Sequence, residues 1–327
     1  MKLALISTKS HVSPRLGVAL YSDRILDVCA AVARLRGSGD LQEPPVARTV
    51  KDFVAGGKVE RERLEQLLLC VRNQPLSDLE SDGTVVVERE VKFHPPIPDP
   101  EKFICVGKNY RAHLEELVRT DLIREIPEEP TGFIKLNSVL TGHCSEVERP
   151  TEIVEFDYEP ELVFVIGKDG HRVAREDAMS HVIGFTLFND LTAREVQRRE
   201  VRSGTRFWTA KNMPGFGPIG PYIVTLDEIE DMNNLDIECR VNGEQRMSLN
   251  TTDQIFKAPD IIEHFSRFIP MRAGDLFATG SAAGVAVGHD NAKELFLKPG
   301  DQVEVVAPGV MSLKTIVVED RQFTGVR

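Results

Sequence analysis

Short apolar runs, separated by turn-like polar segments, dominate the beginning of the chain. They predict three strands, at residues 2–6, 17–21 and 25–28. Apolar residues at helical spacing then predict two helices, around residues 48–55 and 58–72. The N-terminal region therefore has the pattern of a small α/β unit.

A proline-rich segment follows this unit. Four prolines lie within HPPIPDPEK, residues 94–102, and this density cannot sustain a helix or a central strand. We expect a linker here, with a small N-terminal domain over residues 1–98 and a larger domain over residues 99–327.

Strand patterns outnumber helical patterns after the linker. We predict strands at residues 103–107, 161–167, 181–190, 221–225, 237–244, 275–280, 302–308 and 314–320. We predict helices at residues 112–119, 192–200 and 259–268. The strands are too numerous for a doubly wound βαβ fold, so the pattern predicts an α+β protein that is mostly β.

Composition narrows the class of partner. A net charge of −11 over 327 residues argues against nucleic acid and anionic membrane surfaces, because both bind a basic face. No apolar stretch approaches the roughly 20 residues that cross a bilayer, and the N-terminus lacks the apolar core of a signal peptide. The five cysteines are scattered, which argues against a zinc site or a disulfide framework. We expect a cytoplasmic protein whose partner is a small molecule.

Three carboxylates crowd the segment FDYEPEL, residues 156–162, at the start of an apolar run. Glu159 and Glu161 project from one face if the segment is a strand, with Asp157 just before them. One interpretation is a metal site, because a cation removes the repulsion between like charges and oxygen ligands suit Mg²⁺ or Ca²⁺. The other is a solvated edge strand, which tolerates Pro160 and acidic residues. These seven residues alone favour the edge strand.

A fourth carboxylate, Asp190, ends the next apolar segment, HVIGFTLFND. Asp190 could cap the helix that follows it. Thr192 and Glu195 offer an alternative capping box, with Thr192 as the cap and Glu195 reaching back to it. That box would leave Asp190 available as a metal ligand.

Two further segments carry candidate chemistry. His113 and Glu116 lie one turn apart if residues 112–118 are helical, and a carboxylate beside an imidazole raises its basicity, as in a general base. On a solvated helix the same pair is ordinary surface. Lys211 could bind a substrate carboxylate or form a Schiff base, although one lysine among 40 basic residues carries little weight alone.

Taken together, these segments resemble the fumarylacetoacetate hydrolase family. The similarity runs from about residue 101 to residue 318. The matching motifs are VGKNYRAH for the family's VGxNYxxH, DYEPEL for YExEL, FNDLTAREVQ for NDxSARxxQ, the lysine of WTAKN, and DLFATG for DxxxTG. The resemblance implies a mixed β-roll preceded by the smaller N-terminal α/β domain, and it implies a homodimer.

The resemblance also implies a metal-dependent active site. The glutamates of YExEL and the aspartate of NDxSAR hold a divalent cation in the family. This assigns Glu159, Glu161 and Asp190 as ligands of Mg²⁺, with Mn²⁺ or Ca²⁺ as alternatives. The catalytic pair of the family falls on His113 and Glu116.

The residues that contact substrate in the family fall on Arg194, Gln197, Lys211 and Thr279, and Lys211 is also assigned a catalytic role. Asp157 is not a ligand in the family pattern, and we interpret it as local solubility or turn chemistry.

Two segments depart from the family pattern. FIKLNSVLTG keeps Lys135 of the family's FxKP but has Leu136 in place of the proline. TGSAAGVAVG has Ser281 and Ala282 where the family has Thr and Pro. Both segments border the cleft in the family, which leaves room for a different substrate.

Family members act on 2-oxo acids or their enols. The resemblance therefore implies an Mg²⁺-dependent hydrolase of a C–C bond in a 2,4-dioxo acid, such as an acylpyruvate, fumarylpyruvate or a fumarylacetoacetate-like compound, with release of pyruvate or a related 2-oxo acid. An isomerase of 2-hydroxydienoates, or a decarboxylase of 2-oxo diacids, in aromatic catabolism needs the same metal, base and cationic anchor and stays an alternative. A metal-binding protein without catalysis has no reason to keep His113, Glu116 and Lys211 together.

Overall fold

A computed structural model describes residues 1–21, 23–36, 43–111, 114, 127–205 and 207–321. The elements before the proline-rich segment, and at its first residue, are β1 (Lys2–Ser7), β2 (Arg15–Tyr21), β3 (Arg24–Asp27), α1 (Val28–Leu35), α2 (Val50–Arg72), α3 (Leu76–Ser81), β4 (Val85–Val87) and β5 (Lys92–His94). The elements after it are β6 (Phe103–Gly107), β7 (Thr131–Ile134), β8 (Leu140–Thr141), β9 (Ser145–Arg149), β10 (Phe156–Asp157), β11 (Pro160–Ile166), β12 (Val182–Asn189), β13 (Thr192–Ala193), α4 (Arg194–Arg202), β14 (Gly217–Thr225), β15 (Asp236–Val241), β16 (Glu244–Asn250), α5 (Ala258–Ser266), β17 (Leu276–Ala278), α6 (Ala292–Leu295), β18 (Gln302–Ala307) and β19 (Met311–Glu319).

One large sheet carries most of the strands. Its order is β4-β3-β2-β1-β14-β12-β11-β17-β6-β7, with β5 beside β1 and β8 beside β14. Most neighbours are antiparallel, whereas β17 with β6 and β14 with β8 are parallel. A second sheet has the order β16-β15-β18-β19-β9, and β10 pairs with β13. The predicted class, α+β and mostly β, is confirmed.

The acidic segment leads into the interior of the large sheet. β11 lies between β12 and β17, and all of its residues are buried. The interpretation of this segment as a solvated edge strand is therefore wrong. Pro160 is tolerated in a central strand because it is the first residue of β11. Phe164 of β11 stacks on Phe277 of β17, with ring centroids 5.1 Å apart, and so ties the two strands together.

The N-terminal elements follow the hydrophobic pattern. β1, β2 and β3 correspond to the three predicted strands, and α2 spans both predicted helices, with a kink at Gly57 (φ 56°, ψ −136°). Thr49 begins α2 with a capping box to Asp52. Leu35 of α1 and Leu67 of α2 belong to the same buried apolar cluster as strand residues of the large sheet.

The proline-rich segment joins two parts of one sheet. Residues 95–102 contain no helix or strand. On either side of them, β1 and β14 pair antiparallel, with Leu3 opposite Ile223. The division into residues 1–98 and 99–327 stays a prediction, and strands from both parts share the large sheet.

The strand predicted at residues 237–244 extends beyond the end of the observed strand. β15 stops at Val241, and Asn242 and Gly243 form a tight turn with φ values of 55° and 83° before β16 begins. Asn-Gly favours this two-residue hairpin because both residues adopt left-handed backbone.

The helix predicted at 112–119 lies, Leu114 excepted, outside the described residues. Among the helices that the structure describes, none is both long and apolar enough to span a bilayer.

Candidate functional site

The three predicted metal ligands meet at one end of the large sheet. β11 and β12 are antiparallel, with Pro160 opposite Asn189, so the beginning of β11 lies beside the end of β12. Glu159 and Glu161 flank Pro160, and Asp190 follows Asn189. Oxygen atoms of the three carboxylates consequently lie within 4.8 Å of one another.

The carboxylate of Glu161 lies in a crowded, buried environment. Burial, together with the negative charges of Asp190 and Glu159, raises its pKa well above the ordinary value. The amide of Gly280 donates to its Oε2 at 2.9 Å. A divalent cation would relieve this crowding of like charges, and a set of carboxylate oxygens is the donor chemistry of Mg²⁺, Mn²⁺ and Ca²⁺. The residues therefore fit a hard divalent cation.

Lys211 bridges two of the carboxylates. Its Nζ lies 2.6 Å from Oε2 of Glu159 and 2.6 Å from Oδ2 of Asp190, and 2.9 Å from Oγ1 of Thr192. Burial lowers the pKa of Lys211, but the charges of Asp190 and Glu159 outweigh that effect and raise it above the ordinary value. The side chain is therefore an ammonium, which argues against a Schiff base and for an electrostatic role.

Arg194 connects the site to Asp157. Its Nε donates to Asp157 at 2.8 Å, and its Nη1 lies 2.6 Å from Glu159 and 2.9 Å from the side-chain oxygen of Gln197. Within the described residues, no group accepts a hydrogen bond from the buried Nη2 of Arg194. Arg194 and Gln197, both predicted as substrate-binding residues, are thus held together beside Glu159, a predicted metal ligand.

Of the two roles expected for Asp157, local solubility or turn chemistry, the solubility role is wrong. Its side chain is fully buried, and it accepts hydrogen bonds from Arg194 and from the amides of Ala286 and Val287. Asp157 is the structural anchor that holds Arg194 in place.

The capping box predicted at Thr192 and Glu195 is also wrong. Helix α4 begins at Arg194, and its N-cap residue, Ala193, makes no side-chain capping bond. Thr192 Oγ1 donates to the carbonyl of Asp190, while Glu195 accepts from the amides of residues 154 and 155. Asp190 does not cap the helix either, and its carboxylate faces Lys211.

A small cavity opens onto these charges. Its lining combines the carboxylates and basic groups with two aromatic rings, and the lining residues are Val106, Gly107, Lys108, Phe133, Glu159, Glu161, Asp190, Arg194, Gln197, Phe207, Lys211, Gly280 and Ser281. The rings of Phe133 and Phe207 pack edge to face, 5.5 Å between centroids. Nζ of Lys211 lies within 6 Å of both rings, at 5.5 Å and 5.9 Å.

Comparison with known proteins assigns the family. The model of the fumarylacetoacetate (FAA) hydrolase C-terminal family matches residues 102–318. The chain belongs to this family. The family resemblance of the sequence motifs is thereby confirmed.

Relatives of the chain within the fumarylacetoacetate hydrolase family carry the names of enzymes. The chain is 41% identical over 226 residues to oxaloacetate tautomerase YisK of Bacillus subtilis (strain 168), and the alignment covers 68% of this chain and 72% of the relative. It is 40% identical over 276 residues to the mitochondrial oxaloacetate tautomerase FAHD2A of Homo sapiens, covering 84% and 82%. The crystal structure of maleylpyruvate hydrolase from Sphingobium sp. SYK-6, in complex with manganese(II) ion and pyruvate, superposes with a TM-score of 0.70 at 26% identity, covering 98% and 100%.

The family threonine, Thr279, is not among the described residues that line the cavity. Its Oγ1 donates to the carbonyl of Leu162 at 3.0 Å, and its carbonyl accepts from the side chain of Asn109 at 2.8 Å. Ser281, two residues further on, lines the cavity, and its hydroxyl is buried with no hydrogen-bond partner among the described residues. The substrate-binding role of Thr279 stays a prediction. Ser281 was noted in the sequence only as a departure from the family pattern.

Lys135 is a second residue whose place in the site the sequence did not predict. It is fully buried, and its Nζ donates to Oδ1 of Asp190 at 2.6 Å and to the carbonyl of Lys211. The sequence offered only the match to FxKP as a sign of its importance.

His113 and Glu116, the predicted catalytic pair of the fumarylacetoacetate hydrolase family motif, lie outside the described residues. Their role as a general base stays a prediction.

Proposed function

We propose that this protein is a divalent-metal-dependent enzyme that interconverts the enol and keto forms of oxaloacetate. The relatives from Bacillus subtilis and Homo sapiens, at 41% and 40% identity, are both named oxaloacetate tautomerases. The observation that carries the proposal is the buried triad of Glu159, Glu161 and Asp190, whose oxygens lie within 4.8 Å of one another.

The balance of buried charge supports a doubly anionic substrate. Among the described residues, four buried acidic side chains face three buried basic ones in and beside the site, namely Asp157, Glu159, Glu161, Asp190, Lys135, Arg194 and Lys211. These buried charges sum to one negative charge, and the half-buried Lys108 of the cavity lining together with a divalent cation would make the site positive. A site with a net positive charge favours a dicarboxylate such as oxaloacetate.

We assign Lys211 and Arg194 to the substrate carboxylates. Lys211 acts as a point charge, because its three N–H groups already bond to Glu159, Asp190 and Thr192. Lys211 and Arg194 both line the cavity, and Arg194 has a buried N–H, Nη2, that no described residue accepts. Gln197 orients Arg194 through its side-chain oxygen, and Ser281 supplies a further hydroxyl. Holding both carboxylates fixes the two carbons between them, C2 and C3, across which oxaloacetate tautomerises.

Tautomerisation moves two protons. One proton leaves C3 of the keto form and one arrives at the keto oxygen, and the enol returns by the reverse path. A bound divalent cation supplies Lewis-acid stabilisation of the negative charge that develops at the keto oxygen. We assign the transfer at C3 to His113, with Glu116 as the group that raises its basicity.

Mg²⁺ remains the proposed cation, with Mn²⁺ and Ca²⁺ as alternatives, because the three ligands are all carboxylates. A homodimer in the cytoplasm also stays a prediction.

Hydrolysis of a C–C bond in a 2,4-dioxo acid is the second candidate function. It is supported by the similarity to a maleylpyruvate hydrolase that was crystallised with manganese(II) and pyruvate. Both reactions place an enolate of a 2-oxo acid next to the same charges, so they differ in what leaves or joins C3. The isomerase and decarboxylase alternatives share this feature.

The test is a substrate panel in the presence of Mg²⁺. The enol form of oxaloacetate is followed by its ultraviolet absorbance, and pyruvate is measured separately. Faster loss of the enol without pyruvate supports the tautomerase. Pyruvate formed together with a carboxylic acid from acylpyruvates or fumarylpyruvate indicates the hydrolase, and pyruvate formed together with CO₂ from oxaloacetate indicates a decarboxylase.

Glu161→Gln is the matched loss-of-site variant for this panel, and Glu244→Gln, with an exposed side chain on the second sheet, is its control. A wild-type protein that accelerates none of these reactions, with any of the three cations, would overturn the proposed function.

A further inference from the structure

The lysine of the site is carried by a short turn. Lys211 ends a single 3-10 turn, Thr209–Lys211, between α4 and β14. So short an element cannot fix the position of its last side chain alone, because it makes few hydrogen bonds of its own. The contacts that the turn makes with neighbouring segments therefore decide where the ammonium lies.

Asn212, the next residue, ties this turn to the end of β7. Its Oδ1 accepts from the amide of Leu136 at 2.7 Å, and its Nδ2 donates to the carbonyl of Ile134 at 3.1 Å. The same Nδ2 donates to the carbonyl of Trp208 at 2.9 Å, inside the loop that carries Lys211. One side chain thus joins three backbone groups from two segments.

These bonds have the pattern of a neighbouring strand. β7 is the last strand of the large sheet, paired with β6 on one side. On its other side, a parallel strand would accept from the amide of residue 136 and donate to the carbonyl of residue 134. The side-chain amide of Asn212 makes these two bonds, so it takes the place of a neighbouring strand at this edge of the sheet.

Lys135, between the two bonded backbone groups, makes the reciprocal contact. Its side chain points into the site, where Nζ donates to Asp190 at 2.6 Å and to the carbonyl of Lys211. Nζ also lies 5.5 Å from the ring centre of Phe188 on β12. The segment at the end of β7 therefore holds the lysine turn from both sides, with Lys135 inside and Asn212 outside.

We propose that Asn212 is a positioning residue that, together with Lys135, fixes the ammonium of Lys211 against the carboxylates and toward the substrate. The inference rests on the proposed function in assigning Lys211 to a substrate carboxylate. Loss of Asn212 frees the lysine turn, and it affects Glu159 and Asp190 through their ion pairs with Lys211.

The test compares Asn212→Ala with a matched control, Asn250→Ala. Asn250 also uses its side chain in several hydrogen bonds, to Asn234, Asp236 and Thr252, but on the second sheet. We expect Asn212→Ala to raise KM for oxaloacetate, and Kd for oxalate, by roughly tenfold. Kd for Mn²⁺ should change less than Kd for oxalate, because the bonds of Asn212 go to backbone groups and it acts on Glu159 and Asp190 through the ammonium of Lys211. Asn250→Ala should leave all three constants unchanged.

Asn212→Asp separates hydrogen bonding from shape. Aspartate has nearly the same volume and still accepts from Leu136, but it cannot donate to the carbonyls of Ile134 and Trp208. We expect it to impair oxalate binding at least as much as Asn212→Ala. Full retention of oxalate affinity in Asn212→Asp would contradict the donor role.

Hydrogen exchange gives a readout that does not depend on turnover. The amide of Leu136 should exchange at least about tenfold faster in Asn212→Ala, because its acceptor is gone. Unchanged exchange at Leu136 and unchanged oxalate affinity would overturn the proposal. If the wild-type protein turns over no 2-oxo acid, the proposed function fails, and the exchange and oxalate measurements still decide whether Asn212 positions Lys211.

Discussion

The three carboxylates proposed to bind the metal differ in how their oxygens are neutralised. Both oxygens of Glu159 face a cation, Arg194 on one side and Lys211 on the other. Both oxygens of Asp190 do as well, through Lys135 and Lys211. Glu161 instead accepts from a backbone amide, and among the described residues no basic side chain pairs with it. A bound divalent cation would therefore neutralise the charge of Glu161 more than that of the other two carboxylates.

The first prediction concerns this residue. Glu161→Gln keeps the shape of the side chain and its acceptor for Gly280 but removes the charge. We expect the affinity for Mn²⁺, measured by isothermal titration calorimetry, to fall by roughly tenfold or more, since one charged ligand in three is lost. Activity should then require a higher metal concentration. Equal Mn²⁺ affinities in Glu161→Gln, Glu244→Gln and the wild type would contradict the ligand assignment.

His143 is a titratable group away from the active site. Burial, and secondly the charge of Lys314, lower its pKa to about 4. Its Nδ1 accepts from the backbone amide of Lys314 at 3.1 Å, and the ring packs edge to face on Phe93. Protonation of Nδ1 would break the hydrogen bond, so the folded protein holds this imidazole in its neutral form.

The second prediction is a pH dependence of stability. Unfolded histidine titrates near 6.5, so the unfolded state takes up the proton first as the pH falls. The contribution of neutral His143 is present above pH 6.5 and is lost progressively toward about pH 4. We expect this to cost about 1–2 kcal/mol after allowance for partial exposure of the ring.

The matched variant is His143→Asn, which keeps an acceptor for the amide of Lys314 but does not titrate. Urea unfolding of the variant should show a shallower loss of stability between pH 6.5 and pH 4 than that of the wild type. Parallel curves for the two proteins would contradict the prediction.

At the scale of the elements, apolar runs predicted strands well. β6, β11, β12, β17, β18 and β19 each coincide with a predicted strand to within a few residues. Local polar rules were less reliable, because tertiary contacts took the side chains that they concern. Thr192 and Glu195 bond to other backbone groups instead of capping α4. The Asn242–Gly243 pair is a strong turn pattern, but the predicted strand at residues 237–244 extended across it.

The sequence predicted those residues of the site that belong to recognisable motifs. Glu159, Glu161 and Asp190 were assigned from local pattern and family resemblance, and the structure brings them together. Lys135 and Asp190 are 55 residues apart in sequence. Their ion pair depends on the order of strands in the sheet, which periodicity does not encode. The partners of Lys135 therefore became visible only in three dimensions.

The third prediction concerns the kink in α2. Gly57 has a backbone conformation that residues with a Cβ rarely adopt. A methyl group added there would contact nothing within 4 Å. We expect Gly57→Ala to lower the free energy of unfolding by about 1–2 kcal/mol through backbone strain alone. Lys58→Ala, at a highly exposed neighbouring position, should change it by less than about 0.5 kcal/mol. Equal urea midpoints for the two variants would contradict the strain.

At the scale of the whole molecule, the large sheet and two buried apolar clusters link the two predicted parts, and one of these clusters includes the helices α1 and α2. Val163 and Val165 of β11 share that cluster with residues of α1 and α2. Ile219 and Ile223 of β14 belong to it as well. The N-terminal part therefore covers one face of the strands that carry the metal ligands on their ends.

The fourth prediction tests the division at residue 98. All three metal ligands lie in residues 99–327, but without residues 1–98 the apolar face of β11 and β14 is open to water. We expect the 99–327 fragment to lose cooperative unfolding and to aggregate, because exposed apolar surface of this kind drives association. Co-expression with the 1–98 fragment should restore a soluble complex that binds Mn²⁺. A 99–327 fragment that binds Mn²⁺ and unfolds cooperatively would show that it is an independent domain.

The pairing of β1 with β14 also orders events during synthesis. Lys2 lies opposite Val224, which is made more than 200 residues later. Until then, the nascent chain carries an unpaired strand edge, a species that is prone to aggregate. The parallel contact of Phe103 with Leu276 closes later still. We infer that translation runs well ahead of folding in this protein. Most of the chain has been made before the end of the large sheet that carries the proposed metal ligands can be assembled.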